Sequence, residues 1–186
     1  RYNEALNIIG NDPSSQAALS YNLCHTCHVV KPLRSKHCKI QRCCINKFDH
    51  FCPFVYNTVS RDNYKYFMIV INSHAIVSIL WFITSMFYCQ RVDNIGFKLY
   101  AYIAYLGAWS MAIGSLVKYH SDIIVGNLTT NESINLAKYK HFFDNNHRFD
   151  NPFDLKNSFD NVTDSLFPST VQVYTREEAI NERDSK

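Results

Sequence analysis

At 186 residues the chain is long enough for one domain of ordinary size, and a formal charge of +3 is too small to argue for nucleic acid. Seven cysteines, five of them between Cys24 and Cys44, lack the spread of a secreted disulfide scaffold. Clustered among histidines, they read instead as a metal site in a reducing compartment.

The chain opens at Arg1 without an initiator Met and shows no basic n-region followed by an apolar h-region, so no signal peptide is visible and it reads as an excerpt of a longer protein. Residues 1–20 are mixed in character, a juxtamembrane linker in which Asn11-Asp12-Pro13-Ser14-Ser15 reads as a turn. Residues 21–65 hold the Cys/His cluster and are basic, with Lys31, Arg34, Lys36, Lys39, Arg42 and Lys47. Residues 66–89, YFMIVINSHAIVSILWFITSMFYC, are 24 residues without Asp, Glu, Lys or Arg. About 20 apolar residues suffice for a membrane-spanning helix. After a loop at 90–96 comes a second helix, expected over 97–125, whose core Leu99 to Val117 is again free of those four residues. Residues 126–186 form a polar tail rich in Asn and Asp.

Two buried helices of a soluble bundle are the other reading of these runs, and a mean hydropathy of −0.20 allows it. Two charge-free runs flanked by Tyr and Trp fit a membrane hairpin better. Asn72 and His74 inside the first run are then expected to face a partner helix. The basic residues before the first run, with Lys138, Lys140 and Arg148 after the second, outnumber Arg91 and Lys98 in the connection. By the positive-inside rule the segment 21–65 and the tail 126–186 are cytosolic and the loop 90–96 lumenal. The sequons at Asn127, Asn131 and Asn161 would then stay unglycosylated.

Cys24-x2-Cys27 is a two-ligand zinc knuckle, and His37 and Cys44 can complete a tetrahedral Cys3His set. Free structural cysteines are the competing reading, which the polar, Lys-rich segment does not favour. Cys52 stands apart, as a further metal ligand or as a nucleophile. For the second role His50 offers a base and Asp49 a group to orient that base. Cys52 lies about a dozen residues ahead of the first run, where a thiol suits acyl chemistry on lipid-like substrates.

These residues resemble the cysteine-rich domain of the DHHC protein S-acyltransferases (palmitoyltransferases). That family reads Cys-x2-Cys, Lys-Pro-x-Arg, His-Cys-x2-Cys-x2-Cys, Asp-His-His-Cys-Pro-Trp, Asn-Cys and Asn-[His/Tyr] before a span. Here Cys24, Cys27, Lys31-Pro32-Leu33-Arg34, His37-Cys38, Cys44, Asp49-His50, Cys52-Pro53, Asn57 and Asn63-Tyr64 fall in register. Thr129-Thr130-Asn131-Glu132 matches the family's Thr-Thr-x-Glu signature, and NPFDLKNSFDNV (Asn151 to Val162) resembles its Asn-Pro-[Phe/Tyr] motif with imperfect spacing. The resemblance covers about residues 21–167. KPLRSKH and TTNE…YKHF look most like the ankyrin-repeat subgroup, the Akr and huntingtin-interacting type, although the chain holds no ankyrin repeats.

The fold this implies is an α-helical multi-pass membrane protein fragment, a transmembrane hairpin preceded by a small loop-rich zinc-binding cysteine-rich domain. The family's two zinc sites would reduce to one. Cys24, Cys27, His37 and Cys44 transfer intact, while the second set keeps Cys38 but has Gln41, Phe51 and Thr58 in place of its other ligands. A rescue by Cys38, Cys43 and His28 is the alternative. Phe51 replaces a metal-binding His, and not the base; fungal Akr-type members carry Tyr there. The implied reaction takes palmitoyl-CoA as acyl donor, with Cys52 as nucleophile, His50 as base and Asp49 as orienting acid. It passes the palmitoyl group to cysteines of cytosolic-face proteins at a Golgi or endosomal/ER membrane. By the same resemblance Thr129, Thr130 and Glu132 support Asp49. Arg34 and Lys36 are candidates for the CoA phosphates or for a solvated basic face. Two readings from other classes stand beside this: a catalytically dead membrane adaptor that binds partner proteins, and a zinc-ribbon nucleic-acid binder, which explains neither the apolar runs nor Cys52.

Overall fold

The structure, a computed structural model, describes residues 1–11, 22–92 and 96–185. It comprises two compact units, one formed by Arg1–Tyr64 with Ile123–Lys186 and the other by Lys65–Asp122.

The first unit begins with a helix where the sequence reads as linker. Helix α1 runs Tyr2–Asn11, buries Ala5, and sets the Tyr2 hydroxyl 3.0 Å from His25 Nδ1. Ala and Leu are strong helix formers, and the charge of Glu4 falls in the first turn. From Asp12 onward the expected turn lies outside the described residues.

Three antiparallel hairpins follow. Strand β1 (Leu23–Cys24) pairs with β2 (Val29–Val30), β3 (Lys36–Cys38) with β4 (Cys43–Ile45), and β5 (His50–Cys52) with β6 (Asn57–Val59). The last pairs before the turns are Cys24↔Val29, Cys38↔Cys43 and Cys52↔Asn57, so each loop has four residues. Each loop closes on a left-handed residue, His28 at φ 52°, Arg42 at 56° and Tyr56 at 48°. A non-glycine residue there costs about 1–2 kcal/mol, so the surroundings must enforce it. Strands of two or three residues cannot build a hydrophobic face, and an isolated hairpin is marginal.

What holds them is the returning chain. After helix α3 (Phe97–Val125) come α4 (Thr130–Ile134), two single 3-10 turns at Leu136–Lys138 and Lys140–Phe142, α5 (Ser158–Leu166) and α6 (Arg176–Asp184). The tail is thus a built part of the first unit. Leu33 donates its N–H to Val173 at 2.8 Å. Phe142 is fully buried among Tyr139, His141, Phe149 and Phe153. Arg34 lies over the Phe153 ring at 4.5 Å and makes two parallel 2.8 Å bonds to Glu132. Its remaining donors reach the side-chain and backbone oxygens of Asn127 at 3.0 and 2.9 Å. Asparagines also close the C-terminus of α3, where the last carbonyls lack intrahelical donors. Asn151 donates to Gly126 O at 2.6 Å and Asn161 to Val125 O at 2.7 Å.

These contacts correct the expectation for the basic residues. Arg34 belongs neither to a phosphate site nor to a solvated face; its side chain is 7% exposed and four of its five N–H groups are spent on Glu132 and Asn127. Lys36 reaches Asn131 Oδ1 at 2.8 Å and lies over the Phe48 ring.

The second unit is a pair of long helices, α2 (Tyr64–Cys89) and α3, of 26 and 29 residues. At 1.5 Å per residue both exceed the ~30 Å hydrocarbon core. They are apolar on all sides, with Ile69, Val77, Trp81, Phe87 and Met111 exposed, which a soluble bundle would have to cover. They run antiparallel. His74 accepts from Trp109 Nε1 across the pair at 2.9 Å, and Gly107 lies so close to Phe82 that a Cβ there would meet the ring at 3.1 Å. His74 therefore faces the partner helix as expected. Asn72 donates to the Met68 carbonyl of its own helix at 2.8 Å.

Removing one member of a buried ion pair strands the other charge, at a cost of about 3–5 kcal/mol. Glu132→Ala should therefore lower stability by that order, while the double change Arg34→Met with Glu132→Leu should cost much less, as checked by thermal unfolding in detergent. Burial opposes the Glu132 charge, but Arg34's charge and hydrogen bonds outweigh it and hold the carboxyl below its ordinary 4.5. The pair's contribution should thus be intact above pH 4.5 and be lost as pH falls through the lower folded value.

Candidate active site and metal centre

The first hairpin loop and the second hairpin bring Cys24, Cys27, His37 and Cys44 together, all ligand atoms within 4.8 Å of one another. The three sulfurs lie 3.6, 3.3 and 3.9 Å from His37 Nδ1, in that order of cysteines. Around a tetrahedral zinc, with bonds of ~2.3 Å to sulfur and ~2.0 Å to nitrogen, that separation is about 3.5 Å. The donor set therefore fits zinc in both chemistry and spacing. Burial, followed by the hydrogen bonds and charges of Cys24 and Cys27, pushes the Cys44 thiol up to about 12. A cation among the sulfurs reverses that balance, because a coordinating thiol is deprotonated.

The positions where the resemblance implies a second ligand set form a closed packing. Cys38 and Thr58 are both buried, and the Thr58 hydroxyl donates to the Cys38 sulfur at 3.4 Å. Gln41 turns its amide to Asn57 Oδ1 at 2.6 Å. Phe51 pairs with Thr58 across the third hairpin and meets the Tyr56 ring edge-on at 5.6 Å. Among the described residues, Cys38, Cys43 and His28 form no converging set.

Asp49, His50 and Cys52 come together at the start of the third hairpin. Asp49 is 1% exposed. Its Oδ2 accepts from His50 Nδ1 at 2.6 Å and its Oδ1 from the Thr130 N–H at 2.7 Å. Its own N–H goes to Val59 O and its carbonyl accepts from the Asn131 N–H. Thr129 caps α4 with a reciprocal box: its hydroxyl accepts from the Glu132 N–H and Glu132 accepts from the Thr129 N–H. The Thr-Thr-x-Glu residues thus hold Asp49 through two backbone amides, that of Thr130 on the carboxylate and that of Asn131 on the carbonyl; the Thr130 hydroxyl is buried without a hydrogen-bond partner.

The titration shifts follow from this geometry. Burial opposes a charged His50, but the hydrogen bond and charge of Asp49, then those of Cys52, outweigh it and raise the imidazole above its usual value. Burial alone would raise the Cys52 thiol. The Val55 N–H, the His50 side chain and the Phe54 N–H outweigh it, and the thiol lies below its ordinary 9.0. Shifts in opposite directions on adjacent groups favour a thiolate beside an imidazolium, the state a nucleophilic cysteine needs.

Neither the Arg34–Glu132 pairing nor the loop amides around Cys52 is expected from residue type and spacing. A signal for the second exists: Cys24, Cys38 and Cys52 are each fourteen residues apart, as are the left-handed His28, Arg42 and Tyr56.

The sequence matches known proteins in the same places. Residues 18–137 match the family model of the DHHC palmitoyltransferases. The palmitoyltransferase ZDHHC9 of Pongo abelii is 30% identical over 169 residues, covering 85% of this chain and 44% of the relative. Human palmitoyltransferase ZDHHC9 is 31% identical over 154 residues, covering 77% of this chain and 40% of its own length. Palmitoyltransferase ZDHHC17 of Danio rerio is 33% identical over 139 residues, covering 64% of this chain and 22% of the relative. The chain thus spans less than half the length of these curated relatives. The matched span takes in the Cys3His cluster, the Asp49–His50–Cys52 group and the Thr-Thr-x-Glu residues, and the chain belongs to the DHHC palmitoyltransferase family.

Proposed function

We propose that the protein carrying this chain is a protein S-palmitoyltransferase working through an acyl-Cys52 intermediate. The observation that carries this is the relay from the Thr130 N–H through Asp49 and His50 to Cys52. His50 takes the Cys52 proton, and the sulfur attacks the thioester carbonyl of palmitoyl-CoA. The carbon–sulfur bond to CoA breaks, and the departing thiolate recovers the proton from His50. A substrate cysteine, deprotonated by the same imidazole, then attacks the acyl-Cys52 carbonyl and Cys52 leaves as thiolate. Asp49 keeps its own proton off throughout, holding the imidazole in orientation and stabilising its cation. Zinc held by Cys24, Cys27, His37 and Cys44 supplies folding free energy to hairpins that have little core. A dead adaptor accounts for the lost second ligand set but not for the assembled relay.

The remaining readings are proposals on the same footing: one zinc per chain, membership of the ankyrin-repeat subgroup, the two apolar helices as spans of a multi-pass protein, and residues 21–65 and 126–186 on the cytosolic face of a Golgi or endosomal/ER membrane. The positive-inside distribution supports the orientation.

Three outcomes test this in the full-length protein. Hydroxylamine-labile palmitate should appear on Cys52 and vanish in Cys52→Ser, while His50→Ala keeps its zinc and autoacylates about 10²–10⁴-fold more slowly; label persisting in Cys52→Ser would remove the intermediate. Elemental analysis should give about one zinc per chain, and Phe51→His should add none, because Thr58 and Gln41 already occupy Cys38 and Asn57; two zincs would mean the second site survives. Reporters near Ser35 and Asp160 should lie on the cytosolic side and one just after Cys89 on the opposite side; a split between Ser35 and Asp160 would overturn the hairpin.

A further inference from the structure

The three hairpins place Cys24, Cys38 and Cys52 at one position: the last strand residue before a four-residue loop that closes on a left-handed residue. In each, the sulfur receives the backbone N–H groups two and three residues on: Thr26 and Cys27 for Cys24, Ile40 and Gln41 for Cys38, Phe54 and Val55 for Cys52. Only the remaining partner differs. Cys24 faces the other members of the zinc set, Cys38 the Thr58 hydroxyl, and Cys52 the His50 imidazole. A loop of this shape suits a metal-bound sulfur because that sulfur keeps negative charge, which successive N–H groups stabilise as an anion nest. Pro53 at the first loop position fixes its own φ near −65° and brings no N–H of its own, leaving the next two amides aimed at the sulfur.

We propose that the active-site loop is a zinc-knuckle turn in which a catalytic thiolate stands where a metal-bound one would, and that the N–H groups of Phe54 and Val55 stabilise that thiolate independently of His50. The proposal rests on the reading of Cys52 as the nucleophile. These amides are fixed before the reaction begins, so their stabilisation needs no reorganisation. They act in both steps. Before attack they hold the charge on sulfur. In the second step the acyl carbon–sulfur bond breaks with its electron pair returning to Cys52, and the same amides receive it, so acyl-Cys52 is a better donor than an ordinary alkyl thioester, since a thiol of lower pKa leaves faster.

The test removes one amide and leaves every side chain in place. In the full-length protein, valine at position 55 is replaced by its α-hydroxy acid counterpart, so that its N–H becomes an ester oxygen. The pH midpoint of Cys52 alkylation by iodoacetamide is then followed by site-resolved mass spectrometry, with and without His50→Ala. The midpoint should rise by about one pH unit, a roughly tenfold loss of thiolate at neutral pH, in both backgrounds, and the same exchange at Phe54 should raise it too. Midpoints that stay put in both backgrounds would overturn the proposal. Alkylation does not depend on acyl transfer, so the two readings fail separately: a shifted midpoint in a protein that never acylates Cys52 keeps the knuckle and removes the acyltransferase, and an unmoved midpoint in an active protein does the reverse.

Discussion

A guanidinium buried against a carboxylate, Arg34 on Glu132, is the constraint on which the cysteine-rich unit depends. Its members are 98 residues apart in sequence, and neither charge is tolerable there without the other. Once paired, Glu132 also closes the capping box of α4 with Thr129, which fixes the direction of the first amide of that helix. That amide belongs to Thr130 and ends on Asp49. A contact remote from the thiol therefore sets the orientation of the carboxylate that holds the His50 imidazole. Asn127 extends the same hub, accepting from Arg34 and donating to Phe153 O and Asp164.

The unit is held more by directed polar contacts than by apolar mass. Its buried set includes Asp49, Asn127, Thr129, Glu132, Asn151 and Asn161, each with partners among neighbouring groups. Such a network is stiff when complete and costly when any member is lost, because every broken bond leaves a buried group unsatisfied. The Arg34 pair and the asparagine contacts together do what a larger hydrophobic core does elsewhere, and they do it with short strands.

That construction explains what was legible in the sequence. Cys24-x2-Cys27 with His37 and Cys44, the Asp49–His50–Cys52 group and the two apolar runs are local patterns whose chemistry is carried by residue type and spacing. Apart from the Thr-Thr-x-Glu residues, which the family resemblance sets against Asp49, the docking of the tail was not legible, because its other anchors are asparagines, which in one sequence look the same whether they cap a helix or face water. Helix α1 escaped because ten residues of mixed character running into Asn11-Asp12-Pro13 resemble a linker. Arg34 read as an exposed cation because its partner lies beyond two intervening helices. The hairpins have strands too short for an alternating pattern, and only the fourteen-residue recurrence of cysteine marks them.

The three sequon asparagines acquire a further meaning from this packing. Asn127 and Asn161 are 1% and 2% exposed and Asn131 is 8%, and each spends its amide nitrogen on a neighbour: Phe153 O and Asp164, Val125 O and Asp154, and the Tyr139 hydroxyl. An oligosaccharide attached at any of them would occupy the space of the contacts that pack the tail together. A chain that met the glycosylation machinery during synthesis could not afterwards close this unit.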